Sequence, residues 1–369
     1  MTSPYRMTCG TPAGGAGRVL PFVIGVIADP RRDSARRGLD HLERMAGAST
    51  LVRLDVLDRD RQAVAQEFED GALHRWLHEP LTRAGGEPFG LLLVDIDITD
   101  QAADIAFLER LGAVCGDCLV PVLLPASSET VMASAGWQAL RASQDARFVA
   151  LVADIADDPA LDVNGVTGPF IVAGRIVAAF ARNEWAPSFM VSVLDGPDTG
   201  IAVADGTASH PRATALEDMG VLAVLRRDGA ALLTGATTLA RPPSAPVPAA
   251  ARAARAHATL PPILGGARVM HYLLVQYAAL SASRDAADLE PEVLRLDLER
   301  RLIQWLMSYW AHRSGPPAPL NDALVRLSPD PARPGFWWMV AHLMPAWEGG
   351  GALPHSARFT ASVPAPRRA

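Results

Sequence analysis

Residues 89–98, with the sequence FGLLLVDIDI, constrain the fold of this chain more than any other segment. Their first six residues carry no polar side chain, and the segment is the clearest core strand that the sequence predicts. A predicted helix at 102–114 follows, and predicted strands at 119–124 and 147–152 come next. This alternation predicts an α/β (α+β) fold, with a mixed sheet core flanked by helices.

Three segments are predicted along the chain. Residues 1–70 carry predicted strands at 20–27 and 51–56, before a helix predicted over 61–83. Residues 71–240 hold the α/β core, which ends in a helix at 170–182 and short strands over 189–240. Residues 241–369 begin with RPPSAPVP, whose prolines cannot continue a helix or a sheet. A helical section and closing strands at 336–342 and 357–363 complete the prediction.

The charge of the chain limits its partners and its chemistry. The formal net charge is -6, so the sequence offers no basic surface of the kind that nucleic acid or an anionic membrane selects. All 34 basic residues are arginine, since no lysine occurs. A phosphate-binding loop ending in Gly-Lys, a Schiff-base amine and a Ser-x-x-Lys pair each need an ammonium group, and are therefore excluded.

The compartment is predicted from apolar stretches and cysteines. The first 17 residues lack the apolar stretch of a secretory signal, and residues 19–28 are about half as long as a membrane-spanning helix. Cys9, Cys115 and Cys118 are too few for a disulfide framework, which agrees with a reducing compartment. We therefore expect a cytoplasmic protein that makes no membrane contact.

Three aspartates offer the strongest candidate for catalysis. Asp95, Asp97 and Asp100 follow the predicted central strand, at the end where open α/β sheets bind ligands and magnesium. The alternative is a solvated sheet face, because Asp95 and Asp97 share one face of the strand and Ile96 and Ile98 share the other. A Mg-dependent α/β enzyme therefore stays an open alternative.

Two other pairs of reactive side chains are better explained by structural roles. Cys115 and Cys118 have the spacing of a redox pair, but they follow a predicted helix and precede a strand, the reverse of a thioredoxin-like arrangement. His74 and His78 lie four residues apart on a predicted helix that lacks the glutamate of a zinc protease. These residues predict no cofactor, no metal site and no catalytic set.

Several motifs in the chain resemble one family. GGEPFG at 85–90, followed by LLLVDIDIT, is similar to the part of the large sheath subunit of type VI secretion systems (TssC) that leads into its central strand. LRASQDARFV at 140–149 is similar to the family's LR.S.D.RYV.L signature. RVMHYL at 268–273, LERRLIQWL at 298–306, RPGFW at 333–337 and AHLMP at 341–345 follow in the family's order. RVLPFVIGVIAD at 18–29 resembles the opening of the small sheath subunit (TssB).

The resemblance implies a structural protein and not an enzyme. The family forms a cytoplasmic tube of helically arranged sheath subunits, whose contraction propels an inner tube. For this chain the resemblance implies self-association, and as partners a small sheath subunit (TssB-like), an inner-tube protein (Hcp-like), a baseplate and a recycling AAA+ ATPase (ClpV-like). It implies no cofactor. An alternative is a divergent sheath-like paralogue that caps or regulates the sheath, because residues 154–169 lack the family's Arg-Leu-Pro-Tyr-Gly loop.

Strand exchange between neighbours would supply the non-closing contacts that a sheath needs. The terminal strands are the candidates, since they would be hazardous edges in a monomer. The candidate inter-subunit residues on these strands are Phe22, Ile24, Val26, Phe359, Thr360 and Val363.

Overall fold

The computed structural model describes residues 22–46, 50–55, 61–127, 133–156, 165–183, 211–227, 230–233, 235–242, 258–282, 289–311, 320–345 and 357–366. Within these residues the chain forms a seven-stranded sheet and a three-stranded sheet. This arrangement confirms the predicted mixed α/β class.

The seven-stranded sheet is mostly parallel. Its strands are β1 (Val23–Ala28), β2 (Thr50–Asp55), β3 (Phe89–Val94), β4 (Val122–Pro125), β5 (Val149–Ala156), β6 (Val221–Arg227) and β7 (Ala230–Leu233). Their order across the sheet is β2-β1-β3-β4-β5-β6-β7, and each neighbouring pair is parallel except β6 with β7. Because β1 lies between β2 and β3, the order reverses direction at β1, as it does in doubly wound folds.

Helices cover both faces of this sheet. They are α1 (Asp33–Ala46), α2 (Arg61–Glu69), α3 (Ala72–Thr82), α4 (Ala102–Cys118), α5 (Ala135–Ala142), α6 (Gly168–Asn183), α7 (Pro211–Asp218), α8 (Leu260–Ser281) and α9 (Pro291–Ala311). A 3₁₀ turn, Asp145–Phe148, precedes β5. Helices α1 and α6 pack against each other, while α3 contacts α4 and α8.

Strand β3 confirms the prediction of a core strand in this segment, and the structure shows that it is buried on both faces. All six of its residues are buried. Leu92 and Val94 belong to one hydrophobic core, and Leu91 and Leu93 belong to the other. Since successive side chains of a strand point to opposite faces, an apolar residue is needed at every position, and this is what the sequence supplies.

The three-stranded sheet is antiparallel and has one buried face. Its strands are β8 (Leu320–Pro329), β9 (Phe336–Pro345) and β10 (Ala357–Pro364), in the order β10-β9-β8. Val325, Met339, Ala341 and Phe359 point into the core that also contains one face of the large sheet. Gly335 ends the turn between β8 and β9 with φ of 85°, a left-handed conformation that favours glycine.

Helix α8 joins the two sheets, because it contacts β3 of the large sheet and β10 of the small one. The Phe359 ring lies directly against Gly266, where an added Cβ would come within 2.0 Å of the ring. A glycine is therefore required at this position to let β10 approach the helix.

Some sequence predictions differ from the structure. The helix predicted over 61–83 is two helices, since the chain turns at Gly71, where a Cβ would lie 2.6 Å from the Glu67 Cα. The strands predicted over 189–240 include a helix instead, α7, which Pro211 begins at its first turn. Residues 189–210 and 243–248 of these predictions lie outside the described residues.

The domain boundary predicted at residue 70 falls between α2 and α3. β1 and β2, which precede this position, lie in the same sheet as β3 to β7, which follow it.

The Gly266 contact yields a stability prediction. We expect Gly266→Ala to lower the free energy of unfolding by about 2 kcal/mol, because overpacking costs about 1–3 kcal/mol and the 2.0 Å approach lies at its upper end. The better helix propensity of alanine returns about 1 kcal/mol. Urea denaturation of Gly266→Ala, Phe359→Leu and the double variant measures the effect. The double variant should lose less than the sum of the single variants, and simple additivity would contradict the contact.

His271 on α8 is a buried histidine that fastens the helix to α4. Its Nε2 donates a hydrogen bond to the Cys118 carbonyl at 3.0 Å. Burial and, to a lesser extent, the nearby Arg268 lower the pKa of His271 from 6.5 to about 3, against the opposing effect of this hydrogen bond. The imidazole is therefore neutral in the folded protein at neutral pH.

The lowered pKa of His271 predicts a loss of stability in acid. Between pH 6.5 and 3 the unfolded chain binds a proton at this residue and the folded chain does not, so the free energy of unfolding falls as pH falls. The slope from this group is about 1.4 kcal/mol per pH unit. Denaturation curves at pH 7, 6, 5 and 4 should show this slope in the wild type but not in His271→Gln, whose amide can still donate to the carbonyl. Equal slopes in both proteins would contradict the prediction.

Candidate assembly interface

The carboxyl ends of β1 and β3 carry acidic side chains that are paired with arginines. Asp29 accepts two hydrogen bonds from the Arg31 guanidinium, at 3.0 and 2.7 Å, and a third from the Arg31 backbone N–H at 3.0 Å. Asp95 accepts one from Arg32 at 3.1 Å. Both aspartates are buried. Arginine thus neutralises the carboxylates at the point where the strand order reverses.

The three aspartates of the magnesium hypothesis have separate roles. Asp100 accepts hydrogen bonds from the Ser134 hydroxyl at 2.6 Å and from the Ser134 and Ala133 backbone N–H groups, so it holds the start of α5. Desolvation is the largest single effect on the pKa of the Asp100 carboxyl and raises it, but these three hydrogen bonds together outweigh it, so the pKa is lowered. Asp97 is exposed, and its carbonyl accepts from Arg61 at 2.7 Å. Among the described residues, there is no group of three or more Asp, Glu, His or Cys side chains that could hold a metal ion.

We expect millimolar MgCl₂ to leave the melting temperature unchanged, because the Asp95 carboxylate already binds Arg32 and the Asp100 carboxylate already holds the start of α5. Ligand at 100 times its dissociation constant would add about 2.7 kcal/mol, which thermal denaturation detects. The control is Asp100→Asn, which should melt lower than the wild type with or without magnesium. A magnesium-dependent rise that Asp100→Asn abolishes would restore the enzyme hypothesis.

The cysteine pair lies in the last turn of α4 and is buried. Burial raises the pKa of both the Cys115 and the Cys118 thiol, with smaller contributions from nearby acidic groups. The Cys118 Sγ lies 3.4 Å from His78 Nε2, and burial lowers the pKa of that histidine. A neutral thiol is a poor nucleophile, so this geometry favours a structural role.

The residues of the LRASQDARFV motif connect neighbouring segments. Arg141 donates from Nε to the Leu239 carbonyl at 3.1 Å and from Nη1 to the Asp218 carbonyl at 2.6 Å. The Ser143 hydroxyl accepts from the Ala146 N–H at 3.2 Å. These bonds position the chain around β5 and β6, which accounts for the motif without catalysis.

The structure places Phe22, Ile24 and Val26 at an interior strand of the large sheet, the second of seven. Ile24 and Val26 lie on β1, whose two edges are paired with β2 and β3. The Phe22 ring is buried and stacks on Phe180 with 3.8 Å between the ring centroids. The strand-exchange hypothesis requires a free strand edge at these residues. Both edges of β1 are already paired, so pairing with another subunit would require β1 to leave this sheet.

The other candidate residues lie on β10, an outer strand of the small sheet. Phe359 and Val363 are buried, and Thr360 is partly exposed on the opposite face. This confirms the predicted alternation. One edge of β10 pairs with β9, and the other edge has no strand beside it in the described part of the chain.

The direction of the β10 backbone follows from the ladder. Leu327 of β8 bonds side chains of α9, so its backbone groups point away from β9. Leu327 pairs with Met339, and Met339 pairs with Ala361. Backbone groups in an antiparallel ladder alternate in direction, so the N–H and C=O groups of Met339 point toward β10 and those of Ala361 point toward β9. The N–H and C=O groups of Thr360 and Ser362 therefore point outward. We call these four groups the β10 edge.

Two side chains bound the β10 edge. Arg147 Nη1 donates to the Arg358 carbonyl at 3.4 Å, and its guanidinium carbon lies 5.5 Å from the centroid of the Phe359 ring. Tyr277 donates its hydroxyl to the Pro364 carbonyl at 2.7 Å. Arg147 belongs to a motif found in the sequence, but no sequence signal indicated Tyr277. Both bonds agree with the outward direction of Arg358 and Pro364.

Residues 31–155 match a family model described as EvpB/VC_A0108, tail sheath N-terminal domain. The match supports a type VI sheath subunit. The matched residues run from α1 into β5 and contain β3. No curated protein matches the chain. The small sheet with the β10 edge lies outside the matched residues.

Among the described residues, no helix is both long enough and apolar enough to cross a membrane.

Proposed function

We propose that this chain is a structural, non-enzymatic subunit of a type VI secretion sheath in the cytoplasm, which assembles helically around an inner tube and contracts to propel it. The observation that carries the proposal is the match of residues 31–155 to a tail sheath domain. The paired acidic residues and the buried thiols support it, because each has a structural use in the fold.

The proposed partners are a small sheath subunit, an inner-tube protein, a baseplate and a recycling ATPase, together with further copies of this chain. A sheath needs heterologous contacts that repeat without closing. An extended segment of a neighbour that pairs with the β10 edge would supply such a contact through backbone hydrogen bonds. Thr360 and Ser362 offer two N–H donors and two C=O acceptors for this pairing.

The decisive variant is Thr360→Pro, which removes one outward N–H group and leaves the bonds of Phe359 and Ala361 to β9 in place. We expect it to keep the circular dichroism spectrum and to melt within a few degrees of the wild type. Co-expression with the neighbouring genes, followed by negative-stain electron microscopy, should show tubes for the wild type and none for Thr360→Pro.

The matched control is Ala361→Pro, one residue along the same strand. It removes an N–H group that faces β9, so it should lower the stability of the protein itself by about 3 kcal/mol, as an interior proline does in a helix. Tubes formed by Thr360→Pro at the wild-type level would rule out pairing at the β10 edge. Failure of the wild type to form tubes with any neighbour would count against the sheath proposal as a whole.

A further inference from the structure

The outer edge of β8 differs from the β10 edge. The backbone groups of Ala323, Val325, Leu327 and Pro329 point away from β9, by the same alternation that fixed the direction of β10. Pro329 has no N–H group, and the Ala323 N–H donates to Asp322 Oδ1 at 2.8 Å. Two of the four outward positions therefore lack an available donor.

A third position, Leu327, is occupied by two side chains of α9. Arg295 Nη1 donates to the Leu327 carbonyl at 3.1 Å, and the Leu327 N–H donates to Glu299 Oε1 at 2.7 Å. Arg295 and Glu299 lie four residues apart on the helix and bond each other at 2.6 Å. One residue of an antiparallel strand offers its partner the same pair of groups, a donor and an acceptor. The two side chains therefore stand where a paired residue would lie.

Other contacts hold this pair of side chains in place. The Glu299 side chain is only 5% exposed and also lies 3.3 Å from Arg326 Nη1. Arg295 donates from Nε to Glu292 at 3.0 Å. An incoming strand would have to displace a buried carboxylate from its partners, and an unpaired buried charge is costly. Backbone hydrogen bonds add only about 1 kcal/mol each, so they do not offset that cost.

We propose that Arg295 and Glu299 close the β8 edge to strand pairing, so that the small sheet accepts an additional strand only at β10. Of the outward positions along β8, these contacts leave Val325 unoccupied, as a single position between Ala323 and Leu327. Because paired residues alternate, one isolated position cannot anchor a strand, whereas the β10 edge presents Thr360 and Ser362 in succession. The part of this inference that concerns β10 rests on the proposed function, and the closure of β8 does not.

The test removes both side chains in the full-length chain. Arg295→Ala combined with Glu299→Ala keeps good helix formers on α9 and releases both backbone groups of Leu327. Thr360→Pro is added so that pairing at β10 does not contribute. Sedimentation velocity over a hundredfold range of concentration should show self-association of the triple variant at least tenfold tighter than that of Thr360→Pro alone. Hydrogen exchange should show added protection of β8 at high concentration and no change in β10.

The matched control is Glu299→Gln in the same Thr360→Pro background. Its side-chain oxygen still accepts from the Leu327 N–H, and Arg295 still donates to the carbonyl, so we expect no gain in association. If the double alanine change prevents folding, Glu299→Ala alone serves as the second test, because Arg295 then remains paired with Glu292.

A folded triple variant that stays as monomeric as Thr360→Pro would overturn the inference, as would association without protection of β8. The same would hold for association of the glutamine control at the level of the alanine variant. The β10 proposal is tested separately by the co-expression experiment, in which tubes formed by Thr360→Pro at the wild-type level would contradict it. Association of the triple variant through β8 would support the closure whatever that experiment shows.

Discussion

The contact between Phe359 and Gly266 fixes the geometry on which the rest of the structure depends. It lets β10 approach α8, and α8 in turn reaches β3 in the large sheet. Gly266 and Tyr277 are separated by about 16 Å along a helix. Phe359 and Pro364, which they contact, are separated by about 17 Å along a strand. The two elements therefore run side by side, and the small sheet is held at both ends of this contact.

Helix α8 also places the buried His271 beside the cysteine pair at the end of α4. His271 lies between the two contacts with β10 and bonds the Cys118 carbonyl, just before Leu119, which has φ of 56°. A left-handed leucine is unfavourable, so the surrounding bonds must hold it. The Leu119 and Val120 N–H groups donate to the Gly116 and Cys115 carbonyls, which end α4. The cysteines thus form part of a helix end, and redox chemistry is not needed to explain them.

The sequence predicted those parts of the fold that depend on local pattern. β3 was predicted because each of its residues is apolar, and β10 because Phe359, Ala361 and Val363 alternate with polar residues. β8 was missed although it alternates in the same way, because Leu324 on its exposed face interrupts the pattern. The position of β1 between β2 and β3 could not be predicted, because strand order depends on contacts between distant segments.

The contacts that we propose decide which edge is open connect residues that are far apart in the sequence. Arg295 bonds a carbonyl 32 residues away, and Tyr277 bonds one 87 residues away. In the sequence each is an ordinary helical residue. Edge strands need some protection from unintended pairing, and charged side chains at the edge are one known means. Here charged side chains of α9 occupy both backbone groups of Leu327, whereas Arg147 and the neutral Tyr277 contact only the two ends of β10. A sheet with one closed and one bounded edge can add one strand per subunit in one register. In the sheath that we propose, this addition would repeat along a helix and give each subunit a directional contact.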